Sequence, residues 1–179
     1  MKNLLRRFYY FRKRRERIRR DADRRATMIS ILTTLGNVSI MWSGISLLLN
    51  SFIEWNQDRL GQQLPRGLPR HFTSKLEHLK KVEKDDLWSE EQRKEMRAIR
   101  LELGRLNNTR IELVHGFVFM TGLTEDFEIH IVKEQGNQLM RKTIERSYAE
   151  LRQFRDGLFR MIVQLTDLYD PIMGIHHEG

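Results

Sequence analysis

Thr27 to Ile53 is a run of 27 residues without one ionisable side chain. A stretch this long has to be taken out of water, so whatever the chain folds into must cover it. Two structures do so. One is a transmembrane helix, for which the length is sufficient and the arginines that precede it have the sign expected of a cytoplasmic flank. The other is a helix buried inside a bundle or across a dimer interface. Composition favours the second, because Ser, Thr, Asn and Gly recur through the run and Asn37 and Asn50 lie inside it. Small residues there permit close approach of another backbone. A secretory signal is excluded, because the uncharged core is too long and no small-residue cleavage pattern follows.

Charge is distributed unevenly. Of the net +8, residues 1–25 carry 12 Lys and Arg against Glu16, Asp21 and Asp23, while the remaining 154 residues hold 20 basic and 21 acidic side chains. The basicity therefore belongs to an arm rather than to the body. Leu4, Leu5, Phe8 and Phe11 give that arm a short apolar stripe at helical spacing. Arginine mixed with aromatic residues suits RNA, where guanidinium groups meet phosphates and rings stack on bases. Arg12, Lys13, Arg14, Arg15, Arg19 and Arg20 are the candidate contacts. The same composition fits a membrane-surface helix or a solvated terminus. The absence of cysteine removes disulfides, thiolate metal sites and thiol nucleophiles together, and it suits a reducing compartment.

The second informative stretch is Ser89 to Gly116. Ser89 and Gln92 form a capping box, with Glu90 and Glu91 in the first turn, where the helix dipole favours negative charge. Met96, Ile99, Leu103 and Leu106 follow, and Leu113 and Phe117 extend the series, which makes one helical face. The position missing from that face is 110, and it is an arginine. His115 lies in the last turn and Gly116 follows as the C-terminal cap. A buried unpaired guanidinium is costly, so Arg110 has to meet an anion, a cleft or an interface. Glu54 or Glu102 is the plain internal partner. His115 titrates near neutrality, and a helix C-terminus favours its charged form. Asn107 and Asn108 lie one turn or less upstream, able to orient either group.

An imidazole and a guanidinium together fit RNA cleavage. RNA carries its own nucleophile, the 2′-hydroxyl. The imidazole takes its proton or protonates the leaving oxygen, and the guanidinium stabilises the charged transition state. A homodimer bringing two such motifs together supplies both acid and base. No metal-ligating cluster and no cofactor signature is evident; His176 and His177 lack a third ligand.

The string R-I-E-L-V-H-G, Arg110 to Gly116, resembles the R-x(4–6)-H motif of the HEPN superfamily. The context is similar over residues 35 to 170: Trp42 and Glu54-Trp55 in an aromatic-bearing first helix, a Leu-Pro loop leading to a helix with Lys75 near its start, the motif helix, and a last helix. The resemblance implies a helical bundle that dimerises with the motif at the interface. It implies a metal-independent endoribonuclease of toxin or phage-defence type, or a catalytically silent relative acting as an interaction module or antitoxin partner. Arg110 and His115 would be the functional pair, with Asn107, Asn108, Glu112 and Gly116 supporting them. The position after the arginine, usually polar in that family, is Ile111.

The remaining chain completes the expected fold. Phe72, Leu76, Leu79 and Val82 give a second helix its core face, with Lys75, Lys80 and Lys81 placed elsewhere. Phe127, Ile129 and Ile131 alternate with Glu128, His130 and Val132, the period of a strand. A turn at Gln135-Gly136-Asn137 returns the chain through Leu139 to Ile144 as a β-hairpin. Ser147 and Glu150 cap a last helix that Pro171 ends. The expectation is an all-α, up-and-down bundle of four to five helices with a small β-hairpin inserted before the last helix. Its parts are a basic arm at 1–26, a helical domain at 27–170 and a tail at 171–179. The expected partners are RNA, a second copy and a cognate antitoxin or regulatory protein. The expected location is the cytoplasm, with the inner membrane as the alternative.

Overall fold

The computed structural model describes residues 2–59, 67–85, 88–120, 126–135 and 138–173. The chain is mostly helical, with four helices and a small antiparallel sheet before the last of them. Helix α1 spans Lys2–Arg59, α2 Phe72–Val82 and α3 Glu90–His115; β1 is Phe117–Met120, β2 Asp126–Gln135, β3 Gln138–Ser147, and α4 is Tyr148–Met173.

The basic arm and the uncharged run are one helix. No Gly or Pro interrupts residues 2 to 35, so nothing in the backbone marks residue 26 as a boundary, and α1 runs through it. Helix α1 is also long and apolar enough to cross a membrane, yet only 28% of its most apolar stretch is buried.

Both expected capping boxes form. Ser89 N donates to Gln92 Oε1 at 3.0 Å and Gln92 N to Ser89 Oγ at 3.2 Å. Ser147 N donates to Glu150 Oε2 at 2.7 Å and Glu150 N to Ser147 Oγ at 3.2 Å. Each satisfies two backbone or side-chain groups that a helix end otherwise leaves to water.

Contacts divide the chain into two units, Met1–Gly36 with His115–Arg152, and Asn37–Val114 with Gln153–Gly179. The first unit holds the sheet, in the order β1-β2-β3. The hairpin is there, but β1 adds a third strand, pairing Phe117 with His130 and Met120 with Phe127. Phe117 therefore belongs to a strand and not to the α3 stripe, because the helix ends at His115 and Gly116 makes the bend. Phe127, Ile129 and Ile131 are buried, and Glu128, His130 and Val132 are not, the alternation expected of one covered face. On the other face Phe119 meets the His130 ring edge-on at 4.8 Å, and His130 Nε2 lies 2.7 Å from Glu128 Oε2. Thr34 Oγ1 and the Tyr148 hydroxyl lie 3.4 Å apart. The turn at 136–137 is outside the described residues.

Among the described residues, the regular elements of the second unit are all helical. Trp42 meets Phe72 at 4.4 Å and Ser46 accepts from Lys75, so α2 runs in the same direction as α1. Strict up-and-down alternation therefore fails at this step. Twelve residues separate Arg59 from Phe72, enough to span the roughly 26 Å of helix back to the level of Trp42. Helix α3 reverses, with Arg110 at Trp42, Gly104 beside Leu76 and Arg100 at Glu83. Helix α4 runs with α1, setting Ile162 beside Gly44 and stacking Tyr169 on Phe52 at 4.0 Å. Pro171 does not end α4, which continues to Met173. A proline within the last turn loses one backbone bond only, and helix ends already carry unpaired groups.

Candidate functional site

Met96, Ile99, Leu103, Leu106 and Leu113 are all buried, so the α3 stripe faces the core of its unit. Arg110 occupies the expected gap in that stripe and is half-buried. Its guanidinium carbon lies 5.7 Å from the centroid of the Trp42 ring. Trp42 is buried and fixed from another side by Phe72. The cation is thus held over an indole face, an arrangement that suits arginine because its planar, weakly hydrated group stacks.

The internal carboxylate partners do not materialise. Glu102 binds Arg105 through two bonds of 2.7 and 2.8 Å, a pairing that lowers the Glu102 pKa. Glu54 is exposed. Among the described residues no carboxylate pairs with Arg110, and its Nε is buried without a hydrogen-bond partner. One turn earlier Asn107 is 6% exposed, and its Oδ1 is also buried and unpartnered. A donor and an acceptor, three residues apart on one helical face, are thus both left open. Each such atom costs about 1–3 kcal/mol when no water or ligand meets it.

The structure therefore brings together Arg110 and Asn107, and adds Trp42 and Phe72 from two other helices. It does not add Asn108, which is exposed. Glu112 is half-buried and is not a free carboxylate. His115 closes α3, and its side chain falls outside the described residues. The arm residues Arg12, Lys13, Arg14, Arg15, Arg19 and Arg20 are exposed along α1. Arg12 Nε is 3.2 Å from Glu16 Oε1, and Arg20 Nε donates to the Glu16 carbonyl at 3.3 Å, contacts that water and phosphates compete with easily.

Lys75 corrects the sequence reading. It is 4% exposed and lies on the covered face of α2 with Leu79 and Val82. Its ammonium donates to Ser46 Oγ and to the Ser46 carbonyl, both neutral acceptors. Burial lowers its pKa from the ordinary value of 10.5. The signal was present in the spacing 72, 75, 79, 82, which is as helical as the all-apolar choice. The lysine's charge argues for the solvated face, but its aliphatic stem packs like a hydrophobe. His78, one turn on, has its pKa lowered by burial and by Lys81, and its Nε2 is buried without a partner.

Among the described residues no group of three or more His, Cys, Asp or Glu side chains is placed to hold a metal ion. Compared with protein-family models, curated proteins and solved structures, the chain finds no match in any of the three. The functional reading accordingly rests on the residues themselves.

Proposed function

We propose that this chain is a HEPN-like RNA-binding protein that cleaves RNA without a metal, using Arg110 and His115. The observation that carries the reading is the state of Arg110. A guanidinium stands where the helix pattern asks for leucine, seated on Trp42, with no internal carboxylate among the described residues and with its Nε open. A fold that keeps an uncompensated cation half-buried gives up stability there, and the compensation sought is a bound anion. A phosphodiester supplies it.

In the proposed reaction the 2′-oxygen attacks the adjacent phosphorus and the bond to the 5′-oxygen breaks. The imidazole of one His115 removes the 2′-proton, and the His115 of a second copy protonates the departing 5′-oxygen. Arg110 neutralises the extra negative charge on the phosphorane. The products are a 2′,3′-cyclic phosphate and a 5′-hydroxyl. Arg110 lies in the helical second unit, and in this reading the exposed arm raises affinity through phosphate contacts. The protein is placed in the cytoplasm by this reading.

The test is an RNA cleavage assay in chelator with wild type, Arg110→Ala and His115→Ala. Wild type is expected to yield cyclic-phosphate ends. Each variant is expected to lose at least a hundredfold in rate while keeping its helical circular-dichroism spectrum. Intact RNA with wild type overturns the enzyme reading. Binding that is lost in proportion to salt, without cleavage, leaves the same fold as an RNA-binding or antitoxin module.

A further inference from the structure

The part of α1 that belongs to the first unit ends at Gly36, and from residue 27 onward one side of it is covered. Ile31 and Thr34 are buried, and Thr27 and Met28 are half-buried. The other side is bare. Ile18, Ala22, Ala26, Ile29 and Leu32 are all exposed, Ile29 at 64%, Ile18 at 58% and Leu32 at 55%. Steps of four, four, three and three keep them on one helical face, and Ile29 and Ile31 point about 200° apart. This apolar stripe does not stop at the uncharged run. It continues into the arm, where residues 12–25 hold nine Lys and Arg against three acidic residues. On an ideal helix Arg14 and Arg25 border one edge of the stripe, and Arg15 and Arg19 the other. A groove of about 490 Å³ follows it, lined by Ile18, Asp21, Ala22, Arg25, Ala26 and Ile29. The surface is thus hollow where the alanines stand.

We propose that residues 12–33 of α1 dock in the plane of an anionic lipid surface. Ile18, Ile29 and Leu32 enter the boundary between headgroups and acyl chains, and the bordering arginines meet the lipid phosphates. Long cationic side chains at the rim of an apolar face reach outward to the headgroups while their stems stay against hydrocarbon. Charge complementarity requires an anionic partner, since each arginine near such a surface adds to the attraction.

The aliphatic residues choose lipid over RNA. An RNA strand offers phosphates to arginine and bases to rings or guanidinium planes, but no hydrocarbon for Ile18, Ile29 and Leu32. The charges choose lying on the bilayer over crossing it. Arg19, Arg20, Asp21, Asp23, Arg24 and Arg25 fall between Ile18 and Ile29, and carrying them into the hydrocarbon is costly. The stripe lies in the first unit and Arg110 in the second, so the inference does not rest on the ribonuclease reading.

The test uses the full chain and preformed vesicles. Wild type should sediment with vesicles of phosphatidylcholine containing 30% phosphatidylglycerol at least tenfold better than with phosphatidylcholine alone. The variant Ile18→Gln/Ile29→Gln/Leu32→Gln keeps every charge, and glutamine is at least as good a helix former as the residues it replaces. It should lose at least tenfold in sedimentation with anionic vesicles while keeping its helical circular-dichroism spectrum and its retention of RNA on a filter. Wild type that ignores anionic vesicles overturns the proposal. A triple variant that binds them as well as wild type does so too, because the contact is then charge alone. Loss of vesicles and RNA together would make the stripe part of an RNA surface, and a fall in mass of the vesicle-free variant would mean that another copy covers the stripe; either overturns the proposal. Because the chain has no cysteine, single thiols carrying an environment-sensitive dye report the geometry. Dyes at Ala22→Cys and Ala26→Cys should shift to the blue with anionic vesicles, and a dye at Asp23→Cys, which points away from the stripe, should not. Equal shifts at all three positions overturn the in-plane arrangement.

Discussion

Two arginines ten residues apart on α3 have opposite surroundings. Arg100 enters a complete site. Its Nε and Nη2 bond both oxygens of Glu83, which is 5% exposed, and Arg97 approaches the same carboxylate at 3.8 Å. That hydrogen bonding raises the Arg100 pKa. Nearby, burial first and the Glu83 charge second push the Tyr169 hydroxyl up and keep it neutral. Arg110 enters an incomplete site, with an indole beneath it, an open Nε, an open Asn107 oxygen and, one turn away on α2, a lysine that has only neutral acceptors. The Glu83 end holds its charges in balance. Among the described residues the Trp42 end keeps cations without paired anions. The contrast is between an arginine paired with a carboxylate and one seated on an indole.

The sharpest way to break the comparison is to remove the anion at the balanced end. Glu83→Ala is expected to cost about 3–5 kcal/mol, because it removes a buried carboxylate and strands the half-buried charge of Arg100. The urea midpoint measures it, and a loss under about 1 kcal/mol would make the two ends equivalent. Arg110→Met should be much milder. It forfeits a cation–π contact of about 0.5–1 kcal/mol but relieves the open Nε. A net change within about 1 kcal/mol is expected, with RNA binding weakened. A collapse as large as that of Glu83→Ala would make Arg110 structural.

Lys75 sharpens the contrast through pH. Its folded pKa lies below the ordinary lysine value of 10.5. Between the two values the unfolded chain binds more protons, so stability rises with pH in that window. Below it both states are charged and the desolvation cost is constant. Wild type should therefore gain on Lys75→Met as pH is raised from neutral toward 10.5. A flat difference would mean that the ammonium is not confined.

His78 should give the smallest effect. Its folded pKa is depressed below 6.5, so the unfolded chain takes up the proton first and stability falls as pH drops through that value. The acid-side slope of thermal melts should be shallower in His78→Leu. An equal slope in both proteins would remove His78 from the account of the cationic end.

Local order was legible in the sequence. The reciprocal Ser89–Gln92 and Ser147–Glu150 caps, the α3 stripe with its arginine gap and the alternation in β2 all depend on neighbours a few residues away, where spacing alone determines contact. The uncharged run from 27 to 53 likewise announced, by its length and lack of charge, a helix that needed cover. Other features depended on partners distant in sequence. That α2 runs with α1 is set by how far a twelve-residue connection reaches. That Lys75 is buried follows from Ser46 standing across from it. That Arg100 meets a carboxylate and Arg110 an indole depends on which helix each turn of α3 happens to pass. Charge pairing acts over a few ångströms of space rather than a few residues of chain, so composition named the cations while only packing decided which of them would be neutralised.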